Sequence, residues 1–252
     1  FLNIMDFSTE DLTYMLNVAD ELKHLSKLDK CPKLLEGKTL GMLFQKSSTR
    51  TRVSFETGIY RLGGIGLFLS ANDLQIGRGE PIKDTARVLS RYLDGLMIRT
   101  YSHDEVLELA HYADMPIING LTDLLHPCQA LADIQTARQY KGTLSGLKLT
   151  FIGDGNNVAH SLMNICAKMG MHFSIACPKG HEPQETIVKN AQEVAKRTNG
   201  SITILEEPKE AIQNADVVYT DVWASMGQEK EAEERKKVFQ KYHVDCELMS
   251  YG

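Results

Sequence analysis

Short apolar runs alternate with segments of helical periodicity along almost the whole chain, and this alternation leaves few folds open. "KTLGMLF" (38–44), "LKLTFIGDG" (147–155), "HFSIAC" (172–177), "SITILEE" (201–207) and "DVVYTDVW" (216–223) read as strands. Where they follow one another in the second half, the stretches between them are long enough for helices. Strands so separated pair in parallel through crossover helices rather than through tight hairpins. The expected fold is therefore α/β, with parallel sheets. "FSTEDLTYMLNVADELKHL" begins the first helix, with Ser8 as N-cap, Asp11 three residues on, and Leu12, Met15, Leu16, Ala19 and Leu22 on one face. The segment from His126 to Tyr140 reads as a helix joining two halves. The expected domains are 1–133 and 134–252, and 252 residues suffice for a core in each.

A net charge of −5 and a pI near 5.9 argue against nucleic acid as a partner, while leaving room for a local cationic cluster that takes small anions. No apolar run approaches the roughly 18 residues that a membrane-crossing helix needs. Cys31, Cys128, Cys166, Cys177 and Cys246 are scattered, without a CxxC pair. That spacing suits a reducing compartment, with neither a zinc site nor a disulfide framework. The expected location is the cytoplasm, or the mitochondrial matrix if a transit peptide has been removed.

"FQKSSTRTRVSFETG" (44–58) sits where a strand candidate gives way to a helix whose apolar positions are Val53, Phe55, Ile59 and Leu62, ending at Gly63-Gly64. A helix N-terminus presents free N–H groups and the positive end of its dipole. Ser48, Thr49 and Thr51 add hydroxyls, and Arg50 adds a fork suited to phosphate. Anion binding and a plain capping cluster are the two readings, and the chemistry favours the first. The usual phosphate loop, GxxxxGK[ST], is absent. In "LLHPCQALAD" (124–133) Pro127 fits the first helical position, so that His126 and Gln129 share a face. An imidazolium and an amide there could polarise a carbonyl oxygen, or merely cap the helix. Cys128 lacks an evident partner for nucleophilic work.

"IGDGNN" (152–157) carries half of a dinucleotide fingerprint, but Val158 stands where the third glycine belongs, and no acid ends the following strand. The turn still brings Asn156 and Asn157 to a strand's carboxyl end. Asp221, in "TDVWASMGQE" (220–229), can receive an ammonium, with Ser225 and Met226 close by in sequence. "EKEAEERKKVFQ" (229–240) reads as a solvated helix with Glu231–Arg235 and Glu233–Lys237 pairs.

Together "SSTRTR" (47–52), "HPCQALAD" (126–133) and "DVWASMGQE" (221–229) resemble the signatures of the aspartate/ornithine carbamoyltransferase family, and "DLQIGRGEPIKDTARVLSRY" (73–92) resembles its loop that reaches across a trimer interface. The resemblance implies two doubly wound parallel-sheet domains joined by interdomain helices. It implies transfer of a carbamoyl group from carbamoyl phosphate to the δ-amine of L-ornithine, giving citrulline and phosphate, in arginine metabolism. Ser48, Thr49, Arg50 and Thr51 would hold the phosphate, with Gln75 from a neighbouring subunit of a homotrimer. Thr51, Arg99, His126 and Gln129 would surround the carbamoyl oxygen, and Asn157, Asp221, Ser225 and Met226 would hold ornithine. Arg50, Arg99, His126 and Asp221 are the expected catalytic residues, with no metal and no cofactor. The family's His-Cys-Leu-Pro motif and closing helix are not found, so the C-terminal part is expected to be missing. The alternatives are a sister transcarbamylase acting on putrescine, a modified ornithine or aspartate, and an inactive phosphate-binding homologue.

Overall fold

The computed structural model describes residues 1–223 and 232–252, which form two compact units, Phe1–Cys128 and Gln129–Gly252. The first unit runs α1 (Thr9–Lys27), β1 (Thr39–Phe44), α2 (Thr49–Arg61), β2 (Ile65–Ser70), α3 (Ile82–Leu89), β3 (Gly95–Arg99), α4 (His103–Tyr112) and β4 (Ile117–Leu121). Its sheet has the order β2-β1-β3-β4, every pair parallel. Helix α5 (Pro127–Lys141) begins at the end of this unit and continues as the start of the next. The second unit adds β5 (Lys148–Ile152), α6 (Asn157–Lys168), β6 (His172–Ala176), α7 (Glu185–Arg197), β7 (Ser201–Leu205), α8 (Pro208–Ala211), β8 (Val217–Thr220) and α9 (Ala232–Phe239). Its sheet, β7-β6-β5-β8, is again wholly parallel. The expected architecture is present: two parallel α/β units.

Local chemistry explains the boundaries. Ser8 caps α1 by accepting from the Asp11 N–H at 3.0 Å, while the Asp11 carboxylate accepts from the Ser8 N–H at 3.1 Å. Leu12 and Leu16 form the buried stripe of that helix. After α2 the chain turns at Gly63 with φ +93°, a conformation open to glycine without strain. On α2, however, only Ile59 is buried, and Val53 is exposed rather than part of the apolar face.

One device recurs in both units. Asp94, just before β3, accepts from the Thr39 N–H at 2.9 Å and pairs with Lys38 at 2.8 Å. Asp216, just before β8, accepts from the Lys148 N–H at 2.9 Å and pairs with Lys141 at 3.4 Å. In each sheet the acid ties the first N–H of a central strand, fixing the register of the parallel pair from its N-terminal end. The cores lie between sheet and helices: Leu43, Leu96, Ile98, Val106 and Leu109 in the first unit, and Ile152, Ala176, Ile212, Phe239 and Tyr242 in the second. The stretch 73–92 opens at the end of one short 3-10 turn, Ala71–Asp73, and holds a second, Gln75–Arg78, ahead of α3.

Candidate active site

In the first unit the carboxyl ends of β1 and β3 converge on the N-terminus of α2. Ser48 caps that helix in extended conformation, its hydroxyl oxygen accepting from the Thr51 N–H at 3.2 Å. The Ser48 O–H is thereby left as a donor, and the Thr49 and Arg50 N–H groups of the first turn have no intrahelical acceptor. Arg99 is the last residue of β3. It is 6% exposed, and its Nη1 donates to the Thr51 hydroxyl at 3.4 Å. Its Nε is buried without a hydrogen-bond partner. Burial, and then the neighbouring Arg50 guanidinium, pull the Arg99 pKa down. Among the described residues neither guanidinium is paired with a carboxylate, so two like charges meet at a helix N-terminus. Arg52 behaves differently: it lies 3.7 Å above the Phe68 ring and 3.6 Å from Glu56.

His126 immediately precedes α5, as expected from Pro127. Burial first, and Arg99 second, lower its pKa from the ordinary 6.5 to about 4. The imidazolium expected from the sequence is therefore corrected: the ring is neutral at neutral pH and can offer an N–H, without a full charge, to a developing oxyanion. The sign of its stability effect follows. Between about pH 4 and 6.5 the unfolded chain binds the His126 proton and the folded chain does not, so this contribution is complete above 6.5 and is lost as pH falls through that window. At about 1.4 kcal/mol per pH unit the change is about 3 kcal/mol. The unfolding free energy of the wild type minus that of His126→Gln should grow by about this amount across the window in urea titrations. A difference that stays constant with pH would mean that the ring titrates normally.

Residues that the motifs did not flag support this end of the sheet. Lys46 is buried, ion-paired with Asp123, and lies 4.1 Å from the centre of the Tyr101 ring. Glu105 accepts from Gln45 Nε2 at 2.9 Å and from the Thr100 hydroxyl at 2.5 Å. These contacts fasten the loop after β1, which carries Ser48, and the loop that follows Arg99 at the end of β3. The available signal was a charged residue at a strand end, Lys46, and an acid, Asp123, three residues before His126. Gln75, by contrast, is exposed at the start of a 3-10 turn, and no described side-chain contact ties it to the arginine cluster.

The second unit gathers another set. Asp221 follows β8; its carboxylate accepts from Asn156 Nδ2 at 3.2 Å and from the Val222 N–H at 2.8 Å. Asn156 is also the N-cap of α6, accepting from the Val158 and Ala159 N–H groups at 3.0 and 3.1 Å. Asn157, the residue expected to bind, is the first of the helix. Gln129 donates to Asp133 at 2.9 Å on α5. Ser225 and Met226 lie outside the described residues, as does Glu231. In 229–240 Glu233, Glu234, Lys236 and Lys237 are exposed as expected, but the solvated reading is corrected at Arg235, which is buried, ion-paired with Asp154, and donates to the Trp223 carbonyl, while Glu233 pairs with Lys236 at 2.8 Å rather than with Lys237. Arg235 thus ties α9 both to the "GDG" turn and to the end of β8. A Cβ on Gly155 in that turn would fall 2.2 Å from the Pro183 nitrogen, so the glycine answers a close backbone approach rather than a dinucleotide.

Comparison with known proteins matches residues 1–139 to the model of the aspartate/ornithine carbamoyltransferase carbamoyl-P binding domain, and residues 145–252 to that of the Asp/Orn binding domain. The chain is 58% identical over 249 residues to a protein of Anoxybacillus flavithermus named ornithine carbamoyltransferase, covering 99% of this chain and 79% of that one. The solved ornithine carbamoyltransferase of Pyrococcus furiosus superposes with a TM-score of 0.96 at 52% identity, covering 100% of this chain and 80% of that one. The anabolic enzyme of Campylobacter jejuni superposes at 0.93 with 41% identity, covering 100% and 82%.

Proposed function

This chain belongs to the aspartate/ornithine carbamoyltransferase family, and from that premise we propose how its residues carry the transfer of a carbamoyl group from carbamoyl phosphate to L-ornithine. The observation that carries the proposal is the meeting of Arg50 and Arg99, without acid partners, at the N-terminus of α2. A dianionic phosphate is the ligand that such a cluster accommodates best. Ser48, Thr49, Arg50 and Thr51 hold it through hydroxyls, N–H groups and the guanidinium fork. Arg99 and the neutral His126 donate to the carbamoyl oxygen, and Gln129 contacts the carbamoyl group. Asn157, Asp221, Ser225 and Met226 hold the amino-acid end of ornithine, with Asp221 facing the α-ammonium and Asn156 steadying that carboxylate.

The neutral δ-amine attacks the carbamoyl carbon, a C–N bond forms, the C–O bond to phosphate breaks, and the amine gives up a proton. Negative charge grows on the carbamoyl oxygen and then on the leaving phosphate. Donors fixed beforehand at those two positions are each worth roughly 3 kcal/mol. None of these steps calls on a metal or redox cofactor. Citrulline formation belongs to arginine metabolism, and the "anabolic" names of the Pyrococcus and Campylobacter relatives support the synthetic direction. Among the described residues no helix is long and apolar enough to cross a membrane. A citrulline assay with carbamoyl phosphate and a panel of ornithine, putrescine and aspartate should yield product from ornithine; preferential carbamoylation of either other amine would move the enzyme to a sister activity.

The working assembly is a homotrimer with shared sites. Supporting it, the edge strand β2 exposes Ile65, Leu67 and Phe68, and α2 exposes Val53 and Tyr60, a run of apolar side chains on the first unit. Gln75, exposed and unattached to its own arginine cluster, is free to serve a neighbour. An inactive Arg50 variant mixed with an inactive Gln75 variant should recover activity in exchanged hybrids, where one interface joins two intact halves. No recovery in hybrids verified by native mass spectrometry would place each site within one chain.

A further inference from the structure

We propose that Asp133 is a positioning residue for the transfer, fixing which end of the Gln129 amide is presented to the substrate. The inference rests on the reading of Gln129 as a ligand of the carbamoyl group. Gln129 and Asp133 lie four apart on α5, hence on one face, and Gln129 Nε2 donates to Asp133 Oδ1 at 2.9 Å. A carboxylate only accepts, so the amide nitrogen must face it. The amide oxygen is thereby turned away from Asp133 and is the end left to accept from the carbamoyl –NH2, so that Gln129 holds the nitrogen of that group rather than donating to its oxygen. Without the carboxylate the two ends of a glutamine amide are nearly the same shape, and packing would not choose between them.

The surroundings make this orientation depend on a proton. Burial, opposed by the Gln129 hydrogen bond and the neighbouring Tyr219 hydroxyl and reinforced by Asp221, raises Asp133 from the ordinary 3.8 to about 6. The groups facing it are thus Gln129 on its own helix, Tyr219 on β8 and Asp221 just beyond that strand. Above about 6 the carboxylate accepts from the amide nitrogen. Below it the carboxyl offers both an O–H donor and a C=O acceptor, so either end of the amide can face it and the bias is lost.

The test compares wild type and Asp133→Asn in kcat/KM for carbamoyl phosphate over about pH 5 to 9; ionisation of the substrate cancels in the ratio. Asparagine can both donate and accept, so it removes the bias while keeping size. The ratio should be about tenfold near pH 8 and collapse towards one below pH 6, where the protonated wild type resembles the variant. A ratio of one at high pH, or one that does not change with pH, overturns the inference. Asp133→Asn should add nothing on a Gln129→Ala background; an additive loss would show that Asp133 acts by another route. A Gln129→Ala enzyme with wild-type kinetics would instead overturn the assignment of Gln129 itself. Should the Asp133 variant not fold, the side-chain ¹⁵N amide signals of Gln129 in the wild type decide the matter. They should titrate near pH 6, and signals unmoved through that range refute the coupling.

Discussion

Arg50→Lys should lower kcat/KM for carbamoyl phosphate by roughly 10²–10³-fold, the range seen when one preorganised donor to a developing oxyanion is removed. Lysine keeps the charge but loses the planar fork that binds two phosphate oxygens at once. The melting temperature should stay nearly unchanged, because Arg50 is exposed and its side chain is not tied into an ion pair among the described residues. Arg52→Lys is the internal control. That guanidinium is engaged with the Phe68 ring and Glu56, so its replacement should leave turnover near wild type. Wild-type turnover in Arg50→Lys would remove Arg50 from the phosphate site.

Asp221→Asn should weaken ornithine binding by roughly 30-fold or more, since truncating one partner of a charged hydrogen bond costs about 2–5 kcal/mol. Carbamoyl-phosphate affinity should hardly move, because its proposed ligands, Ser48 to Thr51 and Arg99, belong to the other unit. The neutral amide also offers one acceptor where the carboxylate serves both Asn156 and Val222, so the loop after β8 loses one of its two ties. Calorimetry with each substrate separates the two effects. Loss of carbamoyl-phosphate binding with ornithine binding preserved would mean that the two sites had been assigned the wrong way round.

Much of this was legible in the residues alone, and for a physical reason: it depended on neighbours in sequence. Ser8 with Asp11, Pro127 after His126, and the hydroxyls at the start of α2 each act within one helical turn, so local spacing declares them. The parallel sheets followed from strands separated by helix-length segments. Arg99 and Gln75 were not legible in this way; they entered only through a family resemblance, because a lone arginine at a strand end looks like any other.

Arg235 shows where local reasoning fails. In a stretch of alternating charges it reads as one more solvated side chain, yet it is buried against Asp154, 81 residues away. Lys46 and Asp123, separated by 77 residues, make the same point. The chain by itself determined the capped starts of α1, α2 and α5, the strands of the second unit, the parallel pairing and the hydroxyl-rich turn before α2, since those rest on periodicity and capping, whereas β2, β3 and β4 were not read from it. Only the tertiary structure decided the protonation states, a neutral His126 near 4 and an Asp133 near 6, because desolvation and the charges of Arg99 and Asp221 come from other strands.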